Sequence, residues 1–186
     1  ANESDLTFSS QSIIEEAQSR GLRTAETLSF TSMAFSDSGN MLVSAKAVSG
    51  AYPLRGEVII ADQPFVRGVP IQSGPPAGEV WLESRALPAL GIEVGDSVFV
   101  GEAELEVSKI IIAEPDRQQG GMIDNAGPRL MLSMDDVAIT NVVQLGSRVS
   151  YRYLFASDDP LILDSFTEWF EVEYEGEYRL RDVRDE

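Results

Sequence analysis

The sequence predicts an α+β fold: a lobe built from both chain ends, with a β-rich lobe inserted between them. Three observations lead there. Short runs of alternating apolar and polar residues recur along the chain, the pattern of half-buried strands. One stretch near each end spaces its apolar residues by threes and fours, as packed helices do. The middle has a different texture, with most of the prolines and glycines. At 186 residues and 43% hydrophobic content, the chain has enough for one large core or two small ones.

Asp5 to Ser10 alternates and predicts a first strand. Ser12 with Glu15 forms a capping box, Ile13, Ile14 and Ala17 share a face, and Gly21 is placed to stop a helix over 12–20. Thr27 to Phe35 and Met41 to Val48 read as strands joined through Asp37 to Asn40, whose residues suit a hairpin turn. In the middle, short strands are expected at Val58–Ala61, Glu79–Glu83, Ser97–Val100, Leu105–Ala113 and Arg129–Ser133. Serine-capped helical turns are expected at Ser84–Leu90 and Ser133–Ile139. Val149, Tyr151, Tyr153 and Phe155 share one face of a strand. Asp159 then caps a helix with Pro160 in its first turn, and Leu161, Ile162, Phe166, Trp169 and Phe170 form the apolar stripe. Glutamates disfavour a helix C-terminus, so this helix should end near Phe170, before a last strand over Tyr178–Val183. Residues 1–56 and 145–186 are expected to form one lobe, a β-α-β-β unit with a β-α-β unit, and 57–144 the insertion. The expected core is Phe8, Ile13, Phe30, Val43, Val149, Tyr151, Phe166 and Trp169.

Composition excludes several function classes. A net charge of −17 argues against nucleic acid, whose phosphates need a basic footprint, and disfavours docking on anionic lipid headgroups. The absence of cysteine removes disulfides and thiol nucleophiles; the absence of histidine removes the commonest general base and zinc ligand. No segment reads as a signal peptide, and no apolar run approaches the roughly 20 residues of a membrane-spanning helix.

Ser44 and Lys46 fall on the same side of a strand, a spacing that allows a serine–lysine hydrolase. The plainer reading is a solvent-facing strand side. Glu114 and Asp116, flanking Pro115, suggest a loop with Arg117 as ion partner; Asp135 and Asp136 suit the first turn of a helix. Neither pair has calcium-loop spacing, so no metal ligands are assigned. The glycine-flanked turn from Gly91 to Val98 lacks a phosphate-binding pattern and reads as an entry to a small-barrel strand. The glycine-rich stretch from Gln118 to Gly127 is the candidate mobile loop, dispensable for folding, and Met122, Ile123, Asp124 and Asn125 are its candidate ligand or partner residues.

Four stretches carry a resemblance. They are Lys46-Ala-Val-Ser-Gly-Ala-Tyr-Pro-Leu-Arg-Gly56, Glu114-Pro-Asp-Arg117, Gly127-Pro-Arg-Leu-Met-Leu-Ser-Met-Asp-Asp136 and Leu145-Gly-Ser-Arg-Val-Ser-Tyr-Arg152. In this order they resemble the periplasmic, MacB-like core domain of YbbP-like ABC transporter permeases in the FtsX/MacB superfamily. The resemblance implies a porter-like lobe with a sabre-like insertion, flanking transmembrane helices, and no catalysis in the domain. It also implies a place on the periplasmic side of the inner membrane of a Gram-negative bacterium. It implies no cofactor in this domain, ATP binding instead to a separate cytoplasmic ABC ATPase subunit. A periplasmic lipid-cleaving hydrolase is an implied partner, and export or extraction of hydrophobic compounds or lipids the implied work. The alternative is an envelope module that recruits or activates a periplasmic enzyme.

Overall fold

The computed structural model describes residues 3–117, 122–174, 176 and 178–180, with the backbone alone over 3–9. Its described elements, in order, are α1 (Glu3–Ser19), β1 (Arg23–Phe35), β2 (Asn40–Val48), β3 (Val58–Ala61), β4 (Val69–Ile71), β5 (Glu79–Leu82), α2 (Ala86–Leu90), β6 (Ser97–Val100), β7 (Ala103–Ala113), β8 (Arg129–Ser133), α3 (Val137–Thr140), β9 (Val149–Ala156) and α4 (Pro160–Glu173). Short 3₁₀ turns at Ile123–Asn125 and Met134–Asp136 precede β8 and α3. The class is α+β, as predicted, with one large mixed sheet.

Among the described residues the sheet has nine strands, running β4-β3-β7-β5-β8-β2-β1-β6, with β9 on β1. β6 pairs with β1 through Ala34↔Val100 and with β7 through Val98↔Leu105, so the pairings β7-β5-β8-β2-β1-β6-β7 form a closed ring. Closure leaves these six strands without an open edge. β2 runs parallel to β8 and β5 parallel to β7, whereas β1–β2, β1–β6, β3–β4, β3–β7, β5–β8 and β6–β7 are antiparallel.

Alternation sends one set of side chains to each face. Leu28, Phe30, Val43, Ala45, Val80, Leu82, Val98, Leu105, Leu130 and Leu132 form one buried cluster, joined by Ala86, Leu87 and Leu90 of α2. Alanines at 45 and 47 let the facing Leu and Phe side chains meet in a narrow interior. Gly91 ends α2 at φ 64, the left-handed cap that a side chain would strain. On the opposite face Ala25, Val48, Tyr52, Val58, Ile60, Trp81, Ile111 and Met131 make a second cluster.

The chain divides into two units, 1–24 with 155–186 and 25–154. The boundary expected at 56/57 therefore moves. β1 and β2, assigned to the first lobe, pair with β6 and β8 of the expected insertion. The reason is that β2 is buried on both faces from Val43 to Val48. A strand covered on both sides belongs in the middle of a sheet.

The smaller unit holds α1 and α4. Ile13, Ala17, Leu22, Phe166 and Phe170 form its core, with Phe155, Trp169, Tyr174 and Tyr178 packed against it. Phe155 and Phe166 are 4.9 Å apart, and Arg20 lies over Trp169 at 5.6 Å.

Several local expectations change. Asp5 to Ser10 is helix, and the helix expected over 12–20 extends back to Glu3. Leu6, Ser10, Ile13 and Ala17 repeat at four, three and four residues, so the helical period continues through the short alternation. α2 begins after Arg85 with no side-chain cap, so Ser84 does not cap it, whereas Ser133 and Asp159 cap as expected. α4 continues three residues past Phe170. Tyr151 is 56% exposed and is not core. Tyr178 to Leu180 are not strand; the rest of that expected strand, 181–183, lies outside the described residues, as does the side chain of Phe8. β4 has only three residues, one of them Pro70, and no alternation long enough to predict it.

Candidate functional site

Lys46 is 2% exposed, which reverses the solvent-facing expectation for its side of β2. Its Nζ lies 2.7 Å from Asp116 Oδ1 and 3.5 Å from Glu114 Oε2, and donates to the Tyr52 hydroxyl at 3.1 Å. Tyr52 in turn donates to Asp116 Oδ1 at 2.6 Å. Arg129, also buried, places Nε and Nη2 each 2.8 Å from Glu114 Oε1. Its Nη1 donates to the Ser44 carbonyl, and its Nη2 pairs with Asp124 at 3.2 Å. Asp124 meets Arg152 at 3.4 Å, while Glu83 takes Arg117 and the Arg129 amide. The network thus contains five cations, Lys46, Arg85, Arg117, Arg129 and Arg152, and four anions, Glu83, Glu114, Asp116 and Asp124.

Local structure explains the assembly. Ser44 and Lys46 stand two apart on β2, and parallel pairing sets Ser44 beside Arg129, the first residue of β8. β7 ends at Ala113, so Glu114 and Asp116 leave the sheet and turn back over β2. Two glycines permit the close approaches this needs. Gly56 has φ 75, and a Cβ there would sit 2.7 Å from Pro115 Cβ; a Cβ on Gly127 would sit 2.4 Å from the Leu42 carbonyl oxygen. Only a residue without Cβ fits at either position.

Burial first, and then the adjacent Asp116 carboxylate, push the Tyr52 hydroxyl far above the usual tyrosine value. For Asp116, burial is the largest influence and acts upward. The charge of Lys46 and hydrogen bonds from Lys46 and Tyr52 together outweigh it, holding the carboxyl below its usual value.

Chemically this is a network of paired charges whose centre, Lys46, Glu114, Asp124 and Arg129, is held away from solvent, while Glu83, Arg117 and Arg152 reach its partly exposed rim. Ser44 Oγ accepts the Gly127 amide at 3.0 Å, and both Ser44 and Lys46 are covered. Their geometry ties β2 to the overlying segment and gives a substrate no approach to the hydroxyl. Arg117, expected to pair with Glu114 and Asp116, is instead on Glu83. Asp135 and Asp136 lie in the 3₁₀ turn, where Asp136 accepts the Gly78 amide at 2.8 Å. Among the described residues no three acidic groups are gathered to hold a metal ion. A depression of about 430 Å³ lined by Glu26, 48–50, 74–77 and 133–135 contains two acids and no cation.

The candidate loop splits in two. Met122 is 91% exposed and Asn125 exposed, Ile123 is half-buried, and Asp124 is buried and paired with Arg129 and Arg152. An expected dispensable loop therefore carries one charge that the interior requires; residues 118–121 lie outside the described ones. Sequence reasoning missed Tyr52, Glu83, Arg129 and Arg152 as members. The available signal was the concentration of paired-charge residue types in the four quoted stretches, which supply every member except Glu83 and Asp124.

No family model matches this chain. It is 34% identical over 174 residues, 91% of its length, to the ABC transporter permease YbbP of Escherichia coli (strain K12). The chain spans 20% of that protein. It is thus similar to one part of that permease. No described helix is long and apolar enough to cross a membrane.

Proposed function

We propose that the chain is the periplasmic domain of an ABC transporter permease of the FtsX/MacB type. In this reading it couples ATP-driven movement of transmembrane helices to extraction or export of hydrophobic compounds or lipids. The observation that carries the reading is the similarity to YbbP over 91% of the chain. The buried network supports it, because four distant stretches tied by ion pairs behave as one stiff block, and such a block transmits displacement instead of absorbing it. The parent protein would lie in the inner membrane of a Gram-negative bacterium, paired with a cytoplasmic ATPase subunit. A periplasmic lipid-cleaving hydrolase is a proposed partner, and the exposed Met122 favours such a contact near the network.

The test is excision of this domain from its parent permease, reconstituted with the ATPase in proteoliposomes. Release of a fluorescent hydrophobic substrate should be lost while the permease still co-purifies with the ATPase. Unchanged release after excision would refute the coupling role. A phosphatase fusion within the domain should be active in cells; activity only in a cytoplasmic reporter would refute the periplasmic placement.

A further inference from the structure

The β3–β4 hairpin exposes two apolar residues, Phe65 and Val66, at its tip. Phe65 is fully exposed at φ 63, a conformation that bulky residues rarely hold. Val66, beside it, is exposed as well. Behind the tip, Val69 pairs with Ile60, whose side chain joins the Tyr52–Trp81 cluster, so Val69 extends that face outward into solvent. Ile112 follows Ile111 of the same cluster in β7 and therefore points to the other face, where it too is exposed. Its Cδ1 and Ile59 Cγ2 each come within 2.6 Å of where a Gly68 Cβ would be, so Ile112 lies against the turn itself.

We propose that this hairpin tip inserts into the headgroup boundary of a phospholipid bilayer. A bilayer boundary takes up apolar side chains on both faces of a tip at once, which suits Val69 on one face, Ile112 on the other, and the exposed Phe65 and Val66 at the turn. The charges agree. In a chain of net charge −17, the tip carries Arg67 beside Val66, and Lys109 neutralises Asp62 at its base. A cation next to apolar side chains suits phosphate groups at the interface. The turn's backbone polar groups still need water, so insertion is shallow. The inference rests on the permease reading only in placing the domain beside a bilayer.

The test uses the protein, the variant Phe65→Asn with Val66→Ser, and vesicles of phosphatidylcholine with or without phosphatidylglycerol. Asparagine tolerates positive φ, so the variant keeps the turn, and its melting temperature should be unchanged or slightly raised. The wild-type chain should co-sediment with phosphatidylcholine vesicles at millimolar lipid. The variant's partitioning should be weaker by about tenfold or more. Phosphatidylglycerol should weaken wild-type binding at low salt, through repulsion of the acidic body, and the loss should reverse at high salt. A Phe65→Trp variant should be quenched by lipids brominated near the carbonyls. Wild-type protein left in the supernatant, equal binding of the variant, or unquenched Phe65→Trp would overturn the proposal; the first with impaired transport by the Asn/Ser variant would assign the tip to a protein partner. Such failures leave the permease reading standing, since that depends on the excision experiment.

Discussion

Lys46 shows how much one buried side chain holds. It faces Asp116, Glu114 and Tyr52 together, so replacing it leaves two carboxylates covered without their cation. Lys46→Met should destabilise the protein by about 3–5 kcal/mol in urea or guanidinium titrations. Adding Asp116→Asn should cost less than the sum of the single changes, with a coupling of about 1–3 kcal/mol. Strict additivity would mean that the two groups do not act as a pair. Acid and alkaline stability follow from the same cluster. Asp116 titrates below its usual 3.8 when folded, so the unfolded chain binds its proton first. Its contribution is complete above that value and is lost as pH falls further. Tyr52 is shifted upward, so its contribution is complete below the usual 10.0 and is lost above it, where the unfolded chain ionises. Denaturant midpoints should therefore fall at both extremes, and Tyr52→Phe should flatten the alkaline limb without removing the acid one. An alkaline limb unchanged by that substitution would count against the assignment.

At the scale of elements, connections as well as strands place the charges. The turn after β2 returns at Gly56 against Pro115, which starts the segment that covers Lys46. Gly56→Ala adds a Cβ at φ 75 and 2.7 Å from Pro115 Cβ, and should cost about 1–3 kcal/mol. Gly21→Ala is the control: its φ is 84 but nothing lies within 4 Å, so only the conformational cost of about 1 kcal/mol remains. Equal losses at the two sites would show that the approach of Pro115 is loose. Most strands were legible because alternation is local. β2 stands within one residue of where the sequence places it, and β3, β6 and β8 coincide with their predicted bounds. α1 was legible in part: the capping box at Ser12 and Glu15 looked like a start, but a helical period running back to Leu6 overrode it. The segment at 122–125 reads as an exposed loop because its surroundings are glycine-rich, and Met122 is exposed; yet Ile123 is half-buried, and nothing local marks Asp124 as the partner of Arg129 and Arg152.

Across the larger unit, stability should grade from the ring's interior outward. Every residue of β8 is buried, as are the last six of β2, while β4 is a three-residue edge strand with two exposed positions. Amide hydrogen exchange should be slowest in β2, β5 and β8 and fast in β4. Protection of β4 equal to that of β8 would contradict the strand order. Order along the chain was enough to establish the α+β class, most element positions, the helix caps at Ser133 and Asp159, and the exclusion of histidine and cysteine chemistry. The element positions and caps depend on residues within a turn or two of one another, and the excluded chemistry on composition alone. Tertiary structure decided the rest. Ring closure through β6 joins Ala34 to Val100 and Val98 to Leu105, and the charge network joins Lys46 to Asp116 and Arg129 to Ser44. Such partners meet only because strands far apart in sequence lie side by side, and no local period or spacing encodes which strand that will be.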